Sequence, residues 1–211
     1  MIELNKVVYA YPGGPSIRYP DWSLSQGMHA LLVGNAGTGK STLLHLISGL
    51  LDIQRGTIEV CNYRLSALKG SDRDRFRGKH IGILFPQPLF IKEFTILDNL
   101  LFAQQLGSRQ ANMEKAYLLL HEFSLAGKAL CRPEKLSLFE LRKAAIIRAI
   151  INKPGLILAD EPVLGLNERE SHSILNLLEK QASSYESTLV IASRNKNLRD
   201  TFRNLLKLEN A

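Results

Sequence analysis

Residues 28–41 read Met28-His29-Ala30-Leu31-Leu32-Val33-Gly34-Asn35-Ala36-Gly37-Thr38-Gly39-Lys40-Ser41. The first seven are a short apolar run closed by glycine, the pattern of a buried strand. Beyond Lys40, residues Leu43, Leu44, Ile47, Leu50 and Leu51 recur at helical spacing, with Gly49 weakening the last turn. Between strand and helix, Gly34 to Ser41 fills every fixed position of G-x-x-x-x-G-K-[ST]. Each residue type has a physical reason. Glycines let backbone N–H groups turn toward an anion with no side chain in the way. The helix N-terminus adds partial positive charge. Gly34, Asn35, Ala36, Gly37, Thr38, Gly39, Lys40, Ser41 and Thr42 are therefore the candidate cradle for nucleotide phosphates. Lys40 is placed to reach the β and γ groups and Ser41 to ligate Mg²⁺.

The second chemical signal lies 120 residues on, in Leu156-Ile157-Leu158-Ala159-Asp160-Glu161. A carboxylate at the carboxyl end of a buried strand stands where an open α/β sheet holds its ligands. Asp160 can hold Mg²⁺ through water, and Glu161 can orient or deprotonate an attacking water. Alone, the acidic pair is also compatible with a helix cap. Together with the loop, it points to binding of a nucleoside triphosphate with Mg²⁺.

Outward from these two motifs, Ile2–Tyr9, Thr57–Cys61, His80–Phe85, Gly155–Ala159 and Thr188–Ser193 read as strands, with Leu205–Glu209 a possible last one. Helical patterns cover Thr95–Leu106, Asn112–Phe123, Leu138–Ile151, Glu168–Ser183 and Asn197–Arg203, and Pro154-Gly155 stops the third. Strands alternating with helices imply an α/β fold with a mostly parallel sheet covered on both faces. Residues 86–152 hold helices and no clear strand, which suggests a helical subdomain inserted into a single domain spanning 1–211.

Composition bounds the class. The 211 residues are 45% hydrophobic and 22% charged, enough to build a core and incompatible with disorder. No apolar run nears the roughly 18 residues of a membrane span. The opening MIELNKVVYAYPGG lacks a secretory pattern. Cys61 and Cys131 stand far apart with no metal-ligand spacing, which suits a reducing cytoplasm. The net charge of +7 favours anionic partners. The basic residues are scattered, however, and the densest group, Arg73, Arg75, Arg77 and Lys79, is diluted by Asp72 and Asp74, so no nucleic-acid partner is expected.

In order along the chain, GNAGTGKSTLLHLISGLL, LSLFE and LILADEP resemble the ATP-binding subunit of an ABC transporter, over Ile2 to Leu208. Within that family, RFRGKHIGILF and PLFIKEFTILDNLLFAQ are most similar to the lipoprotein-export and macrolide-export type. The resemblance implies a P-loop NTPase core with an N-terminal β portion and an inserted helical subdomain. It also implies two such subunits, alike or different, sandwiching two ATP molecules. Their helical parts dock on integral membrane permease subunits beside Pro88, Leu89, Phe90 and Ile91, which would hold the chain at the inner face of the cell membrane. Tyr11 lies where the family stacks an aromatic ring on adenine, with Tyr9 the alternative.

Four positions depart from the family pattern. Where a Gln follows Phe at once, Phe85 is followed by Pro86 and only then by Gln87, a substitute if the loop shifts by one residue. The signature L-S-G-G-Q reads Leu136-Ser137-Leu138-Phe139-Glu140. Ser137 is retained for the opposite subunit's ATP, but Leu138 and Phe139 bring bulk and Glu140 brings charge. At about 6 Å and an effective dielectric of 20, one like-charge pair costs roughly 3 kcal/mol before screening. Asn167 replaces an expected Asp. Arg194 stands where the family places a His on the γ-phosphate, and it binds phosphate without being able to accept a hydrogen bond. Two readings follow: an ATPase that is slow or partner-dependent, or a degenerate ATP-binding subunit with regulatory or scaffold duties. The long helical insert and LILADEP argue against a small kinase.

Overall fold

The structure is a computed structural model describing residues 1–108, 110–195, 198, 202 and 204–208. Along the chain run β1 (Ile2–Ala10), β2 (Ser16–Arg18), β3 (Trp22–Leu24), β4 (His29–Val33), α1 (Lys40–Ile47), β5 (Arg55–Val60), β6 (Tyr63–Arg64), α2 (Gly70–His80) and β7 (Ile81–Leu84). There follow α3 (Ile96–Ser108), α4 (Met113–Glu122), α5 (Leu138–Ile150), β8 (Leu156–Asp160), α6 (Glu168–Ser184), β9 (Thr188–Ser193) and β10 (Asn204–Lys207). The strands form two sheets. One is antiparallel, in order β2-β1-β5-β6 with β3 also on β1, and the other is parallel, in order β10-β4-β9-β8-β7.

The apolar runs that read as buried strands are the inner strands of the parallel sheet. Every residue of β8 and β9 is buried. Because side chains alternate across a sheet, one run feeds two cores. Leu31, Ile157, Leu189 and Ile191 face the helical side with α3 to α6. Leu32, Leu158, Val190 and Ala192 face α1, whose Leu43, Leu46 and Ile47 fill the space beneath Ile2, Leu4 and Ile58 of the antiparallel sheet. Helix α1 is thus held between two sheets, and the loop preceding it is fixed on both sides. Each of these buried Leu, Ile and Val side chains contributes on the order of 1.5–3 kcal/mol.

Helix α2 and strands β2, β3 and β6 carry no clear pattern in the sequence. In α2 the only buried residue is Phe76. The run of alternating charges becomes i,i+3 pairs on its surface, Arg75 with Asp72 at 3.8 Å and Arg77 with Asp74. Gly78 lets α2 lie against α3, since a Cβ there would stand 2.7 Å from the carbonyl oxygen of Leu106. Between residues 86 and 152 the described elements are helical. The short helix expected over 197–203 falls almost wholly outside the described residues.

Candidate nucleotide-binding cleft

Strand β4 ends at Val33 and helix α1 begins at Lys40 with Gly39 as its N-cap, at φ 85°. Gly37 also takes a left-handed φ, of 81°. Glycine is needed at 39 for space as well. A Cβ there would come within 2.8 Å of the Tyr19 hydroxyl, which donates to the Gly39 carbonyl at 3.0 Å. Tyr19 carries no sequence signal, because its role depends on the turn from β1 into β2.

Lys40 is buried at the head of the loop. Its Nζ donates to the carbonyls of Gly34 at 2.8 Å and Asn35 at 2.7 Å. Burial lowers its pKa first, and the Glu161 charge opposes that shift. Thr38 closes the loop through its hydroxyl, which donates to the Asn35 carbonyl at 3.0 Å. Thr42 Oγ1 meets Tyr11 Oη at 3.1 Å. Tyr11 is exposed, its ring edge-on to Tyr9 at 4.9 Å, whereas Tyr9 is buried. Of the two aromatic candidates, only Tyr11 offers a free face at the cleft.

Asp160 ends β8 and is only 3% exposed. Both carboxylate oxygens are buried without a hydrogen-bond partner of good geometry. Burial raises its pKa, and the neighbouring Ser41 hydroxyl pulls it back. An ionised carboxylate so placed is costly unless a cation meets it. With Ser41 beside it, this donor set suits a divalent cation that takes its remaining ligands from phosphate and water.

Glu161, one residue on, sits at a φ of 43°. A non-glycine residue there is strained by about 1–3 kcal/mol. Its Oε1 accepts from the Arg194 backbone N–H at 3.0 Å and from Arg194 Nε at 3.1 Å, and its Oε2 accepts from the Ser193 hydroxyl at 3.2 Å. The pairing of β8 with β9, Asp160 opposite Ala192, brings these residues together.

Tyr11, Ala36, Gly37, Gly39, Lys40, Ser41, Thr42, Pro86, Glu161 and Arg194 line one cleft of about 540 Å³. Gln87 is exposed and outside that lining, and Pro86 occupies the wall. Ser137 also lies elsewhere, at the N-terminus of α5. Its hydroxyl accepts from the Glu140 N–H at 3.2 Å, and Glu140 Oε2 accepts from the Ser137 N–H at 2.8 Å. Glu140 is therefore the capping partner of its own helix, and Lys128 lies 3.4 Å from its other oxygen. The backbone bond from Ser137 is the leading cause of its lowered pKa. Glu140 thus keeps the negative charge expected of it, engaged with its own helix cap and with Lys128. Asn167 likewise caps α6, accepting from Glu170 N–H at 2.9 Å.

Arg142 was not among the expected functional residues. It is 3% exposed and donates to the carbonyls of Phe85 at 3.1 Å, Pro86 at 2.6 Å and Leu164 at 2.9 Å. It ties α5 to two loops that border the cleft. Its sequence signal was the apolar face of α5 on which it falls, with Ala145, Ile146 and Ala149 three, four and seven residues on. A larger cavity of about 980 Å³ lies between α2, α3 and the segment 89–91, with Phe85, Leu89, Phe90, Phe102 and Arg148 in its wall.

No described helix is long and apolar enough to cross a membrane. A family model for the ABC transporter matches residues 17–164. The chain is 32% identical over 191 residues to the lipoprotein-releasing system ATP-binding protein LolD of Buchnera aphidicola subsp. Acyrthosiphon pisum, covering 90% of this chain and 84% of that protein. It is 31% identical over 180 residues to the LolD of Treponema denticola, covering 84% and 80%. Among solved structures it is similar to the dimeric ATP-binding cassette MJ0796 in a post-hydrolysis state bound to ADP and Pi. That match has a TM-score of 0.89 and 26% identity, over 99% of this chain and 94% of the other.

Proposed function

This chain belongs to the ABC transporter family as an ATP-binding subunit of the lipoprotein-export type, and we propose that it binds Mg·ATP in the 540 Å³ cleft and couples ATP-driven closure of a dimer to transport by separate membrane subunits. Asp160 is the observation that carries the Mg²⁺ part: a buried carboxylate with two unpaired oxygens beside Ser41. Lys40, held ready on two loop carbonyls, exchanges them for phosphate oxygens. Tyr11 offers its ring to the base. Ser41 and Asp160 would hold Mg²⁺, which would supply neutralisation of charge on the β and γ phosphates. Glu161 accepts the proton of a water that attacks the γ-phosphorus, the bond to the β-phosphate oxygen breaks, and ADP and phosphate leave.

The second half of each site comes from the partner copy in this reading, through Ser137 and the start of α5. There Leu138 and Phe139 obstruct backbone approach, so hydrolysis by a homodimer is slow. A heterodimer whose partner supplies a glycine-rich signature turns over at the site holding Lys40 and Glu161. A membrane subunit docks in the 980 Å³ groove, which places the chain on the cytoplasmic face of the membrane. The bulk at the signature also favours a second reading, a subunit that binds ATP for regulation and hydrolyses little.

ATP affinity measured with and without Mg²⁺ tests the metal site. Mg²⁺ should tighten ATP binding by the wild-type chain and do little for Asp160→Asn. An equal gain in both would overturn the assignment of Asp160.

A further inference from the structure

We propose that Tyr19 is a positioning residue for the nucleotide base: through Thr42 it fixes the ring of Tyr11, and so helps the cleft tell a nucleotide from a bare polyphosphate. The inference rests on the cleft being the nucleotide site with the base on Tyr11. Tyr11 is 47% exposed, yet it is held at three points. Its carbonyl accepts from the Gly14 N–H at 2.9 Å, across a turn in which Gly13 takes a φ of 72°. Its ring meets the buried Tyr9 edge-on. Its hydroxyl lies 3.1 Å from Thr42 Oγ1. Pro15 and Ile17, on the segment between Tyr11 and Tyr19, line the same cleft.

The hydroxyl of Tyr19 sets the direction of the bond to Tyr11. Tyr19 is buried and gives its proton to the Gly39 carbonyl at 3.0 Å. Its oxygen is then left to accept. The Thr42 side chain is the neighbour that meets it, and this hydrogen bond opposes the rise in pKa that burial imposes on Tyr19. A Thr42 hydroxyl that donates to Tyr19 must accept from Tyr11. One ordered chain of three hydroxyls therefore runs from the Tyr11 ring to the carbonyl of Gly39, the N-cap of α1. Each bond in such a chain strengthens the next. Without the Tyr19 hydroxyl, Thr42 is free to turn its proton toward Tyr11 or toward a carbonyl one turn back. The ring then loses a fixed partner, and a base must pay to order it on stacking. The Gly39 carbonyl itself is not orphaned by that loss, because it also accepts from the Leu43 N–H at 2.8 Å. Tyr19 is thus needed less for the loop than for the ring.

The test is affinity for a non-hydrolysable ATP analogue (AMP-PNP) and for inorganic tripolyphosphate, which has no base, both with Mg²⁺. Four proteins are compared: wild type, Tyr11→Phe, Tyr19→Phe and the double variant, all of which keep their rings. Tyr19→Phe should weaken AMP-PNP binding about two- to tenfold, the size of one neutral hydrogen bond, and leave tripolyphosphate binding unchanged. Tyr11→Phe should do the same. The double variant should bind no more weakly than the weaker single variant, because both substitutions break one chain. A role for Tyr19 in supporting the phosphate loop would instead weaken both ligands together and add in full to Tyr11→Phe. Either of those results overturns the relay. If the wild type fails to bind AMP-PNP, the cleft reading falls and the relay with it. If it binds AMP-PNP and Tyr19→Phe leaves that affinity unchanged, only the relay falls.

Discussion

The loop from Gly34 to Thr42 and the turn from Ser137 to Glu140 both stand at helix N-termini, and they use their polar groups in opposite ways. In the loop, Lys40 rests on two carbonyls that a phosphate can replace, and Asp160 beside it keeps two unpaired oxygens. In the turn, Ser137 and Glu140 satisfy one another and Lys128 completes the pairing. Leu138 is 39% exposed at the point where the proposed function calls for a bare backbone, while Phe139 is half-buried against the helical core with Lys143 5.2 Å from its ring centre. A helix N-terminus is thus an anion site only while its donors stay free.

The comparison can be broken first at the loop. Lys40→Ala removes a charge-assisted phosphate contact of about 1.5–3 kcal/mol, so ATP affinity should fall roughly tenfold to a hundredfold. Titration calorimetry showing unchanged affinity would mean that phosphate does not sit on the loop.

A smaller effect is expected at the turn. Leu138→Gly should raise ATP turnover of the isolated chain, by roughly tenfold at most if about one backbone contact is regained. Leu138 is the better probe because it is largely exposed, whereas truncating Phe139 would cost on the order of 3 kcal/mol of core packing. Turnover that stays flat in a folded Leu138→Gly protein would move the bottleneck to Pro86 or Arg194.

The smallest effect is on stability. Glu140→Ala removes a capping bond and a weak ion pair, together about 0.5–1 kcal/mol. The Glu140 carboxyl titrates below its ordinary value of 4.5 in the folded chain. Its contribution is therefore fully present above about pH 4.5 and is lost as pH falls through the lower folded value. Thermal melts of wild type and Glu140→Ala should differ at pH 7 and converge in acid. A gap that persists at low pH would mean that the carboxylate is not what stabilises the cap.

Much of this contrast was legible in the sequence because it is local. The loop between β4 and α1 is dictated by residue types at fixed spacing, and the all-apolar runs of β8 and β9 admit few alternatives to buried parallel strands. Helix α2 was illegible because its stability comes from charge pairs and one phenylalanine, leaving no apolar period. The partners of Glu140 were illegible for a different reason. Its charge is visible in sequence, but the reach to Ser137 N–H and Lys128 is not. The bond between Glu161 and Arg194 spans 33 residues, and only the adjacency of β8 and β9 brings the pair together. Arg142 was hidden by the convention that a lone arginine on a helix faces water. Its three carbonyl partners come from loops 22 and more residues away.

The most direct test of an intact loop facing an obstructed turn is steady-state Mg·ATP hydrolysis by the purified chain. ATP occupancy would be checked on the same sample and Glu161→Gln used as the blank. The account predicts saturable ATP binding with turnover below the roughly 1 s⁻¹ that marks the slow end of ordinary enzymes, and loss of that turnover in the blank. Turnover of roughly 10 s⁻¹ or more, or turnover that survives Glu161→Gln, would contradict it.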